Sequence, residues 1–207
     1  RGLAAAGACS AETSDDGGTT GAAAPTSEEG RDVLGDLAAE VIVPSYEVLG
    51  GALDELAGST AALCAASGGV DELDAARSDW RTAVEAWQAT RAGGVGPAMD
   101  VRLRSDVAFA ARQGDVTELL EGTEPVDVAA VGDRGAAVRG LYALELALFG
   151  EGSDALAEGG DERRCTYGAS VATLTAAAAA PVVEAWRRGD ATEELVTGLD
   201  EGPTSSV

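Results

Sequence analysis

Histidine, lysine and asparagine are missing from this 207-residue sequence, and all 14 of its basic side chains are arginine. Without histidine there is no Ser-His-Asp triad, no Cys-His nucleophile pair and no His-Glu-x-x-His zinc helix. Aromatic residues make up only 4% of the chain, so a core must be assembled from Leu, Val and Ala around a few large anchors. Basic charge is scarce too: 14 arginines face 36 Asp and Glu, for a net charge of −22. Phosphate backbones and anionic lipid surfaces are both bound through clustered Lys and Arg, so nucleic-acid binding and direct docking on such membranes are disfavoured. The acids are spread along the chain, which reads as a solvated, salt-tolerant surface rather than a site. Abundant Ala, Gly and Arg read as a GC-rich codon bias more than a functional choice.

What is present suffices for one sizeable domain or two small ones. Residues 1–10 place Arg1 and small apolar residues ahead of Ala6-Gly7-Ala8-Cys9, a pattern similar to the end of a lipoprotein signal peptide. In that pattern Cys9 becomes the lipidated first residue of the mature protein, although Ala6 stands where Leu is usual. The apolar run is too short for a whole signal or a membrane span, so the sequence is read as starting inside the signal. Residues 11–30 hold Ser, Thr, Gly, Asp, Glu and Ala with little to bury, as a tether after a lipid anchor requires.

Helical periodicity begins near Arg31. Val33, Leu34, Leu37 and Val41, then Tyr46, Leu49, Leu53, Leu56 and Leu63, carry it to Ala66, with a kink or break expected at Pro44. Ser67-Gly68-Gly69 stops the run. A second helix, Val70 to Arg91, has the stripe Leu73, Ala76, Trp80, Ala83, Val84 and Trp87, and its two tryptophans read as packing anchors. Gly96-Pro97 follows a Gly-rich break. Met99 to Ala111 and Val116 to Leu120 read as helices, Thr123 to Gly135 as a connector, Ala136 to Phe149 as a helix, and Gly150 to Gly160 as a loop. A last long helix, Glu162 to Arg188, contains Pro181. Val183-Glu184-Ala185-Trp186 repeats Val84-Glu85-Ala86-Trp87, a faint trace of duplication in an Ala-rich chain. Together these define an all-α, antiparallel bundle of amphipathic helices.

The most apolar stretch is Gly140-Leu141-Tyr142-Ala143-Leu144-Glu145-Leu146-Ala147-Leu148-Phe149-Gly150. Leu141, Leu144, Ala147 and Leu148 share one helix face, and Glu145 lies beside it. An acid there is either paired, hydrogen-bonded or cation-bound, or it points to solvent on the opposite face. Cys64 and Cys165 are either a bridge between the first and last helices or two small buried thiols.

Arg139-Gly140-Leu141-Tyr142-Ala143-Leu144-Glu145 with Leu148-Phe149-Gly150 resembles the signature of the imelysin family. These are helical extracytoplasmic bacterial proteins, also described as insulin-cleaving metalloprotease-like or iron-regulated. The family's Gly-x-His-x-x-Glu is matched at Gly140 and Glu145, but its His position is Tyr142. His and Glu one turn apart can share a metal, whereas Tyr and Glu more readily form a hydrogen-bonded pair. Val41-Ile42-Val43-Pro44-Ser45-Tyr46 resembles the family's opening helix; Ala108-Phe109-Ala110 departs from its aromatic-Pro pair. The resemblance covers residues 31–200, with residues 1–30 as signal end and acidic linker and 201–207 as a disordered tail. The family's final helices are not seen, which reads as truncation.

The resemblance implies a lipid-anchored extracytoplasmic protein of the periplasm or cell surface, associated with iron or another metal and with envelope iron-uptake partners, and acting by binding. It also implies a Cys64–Cys165 bridge. Glu145 and Tyr142, with Asp133 as a further carboxylate, are the candidate ligands, and oxygen ligands suit hard ions such as iron(III) better than zinc. No catalytic residue is assigned. The alternatives are an imelysin-type metallopeptidase and a non-catalytic interaction module with a degenerate site.

Overall fold

The computed structural model describes residues 27–65, 68–93 and 101–198, all helices, turns and loops with no strand among them. Cys9 and the tether up to residue 26, Ser67, the Gly96-Pro97 break, Met99 and the tail after residue 198 lie outside the described residues, while residues 27–30, expected as the end of the tether, already belong to the first helix.

Helix α1, Ser27–Leu37, runs through a π-helical turn, Ala38–Ile42, into α2, Val43–Ala65. Of the kink or break expected at Pro44, the break does not occur. A proline inside a helix clashes with the carbonyl four residues back. Here the turn just before it is widened, with the Val43 N–H donating to Ala38 O, and the helix carries on. Helix α3, Val70–Ala89, ends in a 3₁₀ turn, Thr90–Gly93. Helices α4, Val101–Ala108, and α5, Gln113–Glu121, are short.

The expected connector contains a small helix, α6, Val128–Gly132, started by Asp127, whose Oδ1 accepts from Ala130 N at 2.9 Å. The expected helix from Ala136 is divided. A 3₁₀ turn, Ala136–Val138, is separated from α7, Leu141–Phe149, by Gly140 at φ +80°. The expected loop after Gly150 holds another 3₁₀ segment, Ser153–Glu158. Helix α8, Glu162–Arg188, is continuous through Pro181, which is exposed, as is Ala177, whose carbonyl loses its amide partner to the ring and faces water. Helix α9, Asp190–Thr197, was not apparent from periodicity.

Helices α2 and α8 form the spine. They run antiparallel, as their paired contacts show: Tyr46 stacks on Trp186 at 5.8 Å, Glu47 faces Arg187 at 3.7 Å, and Cys64 is bonded to Cys165 with Cα atoms 5.5 Å apart. Between these ends the helices approach closely. A Cβ on Gly50 would lie 3.1 Å from Val183, and Gly168 sits under Thr60 and Leu144. Small residues at the seam bring the backbones together, which is how an Ala-rich chain with few aromatics packs densely. Helix α3 returns along α2, and α7 lies against both α3 and α8. The core consists of Leu49, Leu53, Leu56, Leu63, Leu141, Leu144, Leu148, Tyr167, Val171 and Trp186, all essentially sealed from solvent.

Helix α8 is long and apolar enough to cross a membrane by length and composition. In the fold it is the central core helix, with Tyr167, Val171, Val183 and Trp186 buried against its neighbours. Two of its buried hydroxyls are satisfied internally: Thr175 Oγ1 donates to Val171 O at 2.7 Å, and the Tyr167 hydroxyl to Val138 O at 2.9 Å.

Two predictions follow from this spine. The disulfide closes a loop with a sequence separation of 101, and a cross-link of that span restricts the unfolded chain by about 4–5 kcal/mol. The double variant Cys64→Ala, Cys165→Ala should unfold in urea with a free energy lower by roughly 3–5 kcal/mol; an unchanged midpoint would show that the bridge contributes nothing. Burial pushes the Tyr167 phenol above its ordinary range. Its contribution to stability is then complete below the unfolded tyrosine pKa of about 10 and is lost as pH rises beyond it. Urea midpoints should be level up to about pH 10 and decline above it, and less steeply in Tyr167→Phe.

Candidate functional site

Helix α7 buries Leu141, Ala143, Leu144, Ala147 and Leu148 and leaves Tyr142, Glu145, Leu146 and Phe149 half-buried on its outer face. The expected apolar stripe is thus the buried one, and Glu145 lies on the other side.

Both bracketing glycines are steric requirements. A Cβ on Gly140, already at positive φ, would stand 2.7 Å from Val107 O, and one on Gly150 would stand 2.3 Å from Leu146 O. No side chain fits in either place.

The ends of α7 are held by groups from distant parts of the chain. At the N-terminal end Trp80 Nε1 donates to Leu141 O at 2.8 Å. At the other end the last carbonyls, which have no partners within the helix, are taken by two guanidinium groups. Arg77 Nε donates to Leu148 O at 2.8 Å. Arg164 reaches Leu146 O at 3.2 Å, Ala147 O at 3.4 Å and Glu151 O at 2.9 Å. Asp161 holds Arg164 in place at 3.0 Å while capping α8 through its other oxygen. The Arg164 side chain is only 11% exposed, so these bonds form largely out of water. Arg77 and Arg81 also lie over the Phe149 ring, 5.4 and 5.0 Å from its centroid, with Trp80 edge-on to it. Ahead of α7, Arg139 joins Asp106 at 3.2 Å and Gly132 O at 3.2 Å, fixing the strained approach to Gly140.

The candidate ligands are placed as follows. The Tyr142 hydroxyl accepts from Gln88 Nε2 at 3.5 Å. Of the alternatives left open for Glu145, pairing is not seen: it has no side-chain hydrogen bond to Tyr142 and no other side-chain hydrogen bond or ion pair among the described residues. Asp133 caps the end of α6. No three Cys, Asp or Glu side chains are grouped closely enough to hold a metal ion among the described residues. The donor set therefore does not fit a self-contained metal centre: a zinc site needs three or four protein ligands, and a calcium site six or more. Cys64 and Cys165 are brought together as a disulfide, the bridge that the resemblance implied.

Sequence reading missed the guanidinium bonds of Arg77, Arg139 and Arg164 and the indole bond of Trp80, whose packing role it did find. Most of these partners are remote in sequence, and only the Asp161-x-x-Arg164 cap leaves a local trace.

The fold is thus a helical bundle packed around the glycine-bracketed helix α7, the stretch that carries the family resemblance in the sequence. The Imelysin family model matches residues 42–206, and the chain belongs to that family. Its fold is similar to that of an imelysin-like protein from Psychrobacter arcticum 273-4, at a TM-score of 0.70 and 19% identity over 88% of this chain. The chain spans 56% of that protein's length. A comparison with curated proteins gives no match.

With the signature acting as a packing frame, Gly140 should matter more to stability than Glu145. Gly140→Ala should cost more than about 2 kcal/mol through the clash with Val107, and Arg164→Met about 2–4 kcal/mol through unpaired buried carbonyls. Glu145→Ala should stay within about 0.5 kcal/mol of the parent. Urea unfolding of the three variants checks the order, and a Glu145→Ala loss as large as that of Gly140→Ala would reverse it.

Proposed function

We propose that this chain is a lipid-anchored, extracytoplasmic imelysin-family protein that works in the cell envelope by binding rather than by hydrolysis. The observation that carries this reading is Tyr142 in the family's His position, beside a Glu145 that has no third ligand near it. A hydrolytic zinc needs three protein ligands and an open position for water. Here two oxygen donors share one face of α7, and the chain has no imidazole to add. An iron association of the family's kind would then need a partner or chelator to bring most of the ligands, because Tyr142 and Glu145 alone are too few.

The compartment is supported by the Cys64–Cys165 bridge, since structural disulfides persist where thiols are oxidised. Cys9, preceded by Ala6-Gly7-Ala8, is the residue proposed to carry the lipid. A two-ligand remnant, still half-exposed, is what an interaction module with a degenerate metal site would retain.

Incubation with insulin and casein, with and without added zinc, should leave both substrates intact. Calorimetric titration with zinc should give the same weak heats for the parent and for Glu145→Ala. Chelator-sensitive cleavage, or tight zinc binding lost in Glu145→Ala, would replace the binding reading with the peptidase one.

A further inference from the structure

Val33, Leu37 and Val41 follow the helical rhythm of the sequence, yet the bundle does not cover them. They are 65%, 39% and 45% exposed, and Val48 further along is 60% exposed. Ala38, Ile42, Tyr46 and Leu49 take the inner side of the same helix and are sealed. The continuous helix α1–α2 is thus apolar on two sides, and only one of them meets the core. Val70, Phe109 and Val128, the other large apolar residues exposed among the described residues, are scattered over α3, the end of α4 and α6. Single exposed apolar side chains are ordinary, whereas a row of them marks a contact surface.

The π-helical turn keeps this row straight. In an α-helix a step of four residues passes a full turn by about 40°, so Val33, Leu37 and Val41 would drift around the axis. The turn at Ala38–Ile42 holds more residues and falls short of a full circle in four, which carries Val41 back toward the line of Val33. Exposed Pro44 and then Val48 extend it. At 1.5 Å per residue the row is about 22 Å long, which matches about four turns of a facing helix.

Acids accompany the row along one flank. Asp32, Asp36 and Glu40 are exposed, recur at the same four-residue step and form no side-chain hydrogen bond or ion pair among the described residues. These charges choose between occupants. A second copy of the chain would bring the same acids and another net charge of −22, and its Arg187 and Arg188 are already engaged by Glu47, Glu184 and Asp190. An anionic bilayer would be repelled by them. A helix with an apolar stripe and a row of Lys or Arg beside it complements both features at once.

We propose that the outer face of α1 and the first turns of α2 dock a basic amphipathic helix of a partner protein. Its apolar stripe lies on Val33, Leu37, Val41 and Val48, and its cations lie along Asp32, Asp36 and Glu40. Val33, Leu37 and Val41 precede the residues that the family model matches, and the face is on a different helix from Tyr142 and Glu145. It stands whether or not that pair binds anything.

The test uses the disulfide-bonded chain and the amphipathic peptide Leu-Lys-Lys-Leu-Leu-Lys-Leu-Leu-Lys-Lys-Leu-Leu-Lys-Leu. Calorimetric titration should show saturable binding with one peptide per chain, and the same peptide with Glu for Lys should bind at least about tenfold more weakly. Leu37→Ser with Val41→Ser should weaken the lysine peptide at least about tenfold, while Val70→Ser with Val128→Ser, exposed apolar positions elsewhere, should leave it within about twofold. Asp36→Asn with Glu40→Gln should weaken it and flatten its salt dependence, and Asp71→Asn with Asp74→Asn, at the far end of the bundle, should do neither. No saturable binding at submillimolar peptide, equal affinity for the glutamate peptide, or an unchanged affinity in Leu37→Ser with Val41→Ser would each overturn the proposal. Sedimentation as a dimer that this double variant dissolves would assign the face to a second copy instead. Flotation with phosphatidylcholine vesicles, lost in the same variant, would assign it to a lipid surface; either result overturns the partner helix.

Discussion

Helix α7 can lie in the middle of the bundle only because two guanidinium groups close its C-terminal end. Nine residues make a helix too short to stand alone, and of its final carbonyls Leu146 O receives only the Gly150 N–H from the local backbone. Surrounded by Leu and Ala, those oxygens would carry an unpaid desolvation cost. Arg77 arrives from α3 and Arg164 from α8, so the same bonds that satisfy the carbonyls also fix α7 against the two helices on either side of it. Arg139 and Arg163 repeat the device at Gly132 and Leu119. A rigid fork of five donors suits this work better than a single ammonium, which gives the absence of lysine a structural use whatever its genetic origin.

Seen from this interaction, the family signature has two layers. Gly140 and Gly150 are set by the backbone around them, where Val107 and Leu146 leave no room for a Cβ. Tyr142 and Glu145 are not constrained in that way: they sit on the half-exposed face, and the fold closes without their help. A chain can therefore keep the frame of the signature after its chemistry has changed. Tyr142, at the position the resemblance gives to histidine, lies on that unconstrained face.

The all-α class, the apolar stripe of α7 and the packing roles of Trp80 and Trp87 were legible in the sequence because they depend on local periodicity. Trp80 stands edge-on to Phe149, and Trp87 is buried, as their heptad spacing implied. What was not legible depended on partners remote in sequence. A break stayed open at Pro44, beside a kink, because the wider turn at Ala38–Ile42 leaves no mark in the residues that form it. The helix expected from Ala136 looked continuous because the obstacle at Gly140 is the carbonyl of Val107, from another helix. The arginine clamps were hidden for the same reason. A guanidinium bound to a carbonyl 71 positions away has no sequence pattern at all.

The bridge between Cys64 and Cys165 encloses α3 to α7 and every residue of the signature in one covalent ring. A single cut by a protease anywhere on that ring, in whatever loop, yields two pieces that stay joined through sulfur. Such a molecule can be nicked and still keep α2 and α8 side by side, so the intact backbone is not what holds its central frame together.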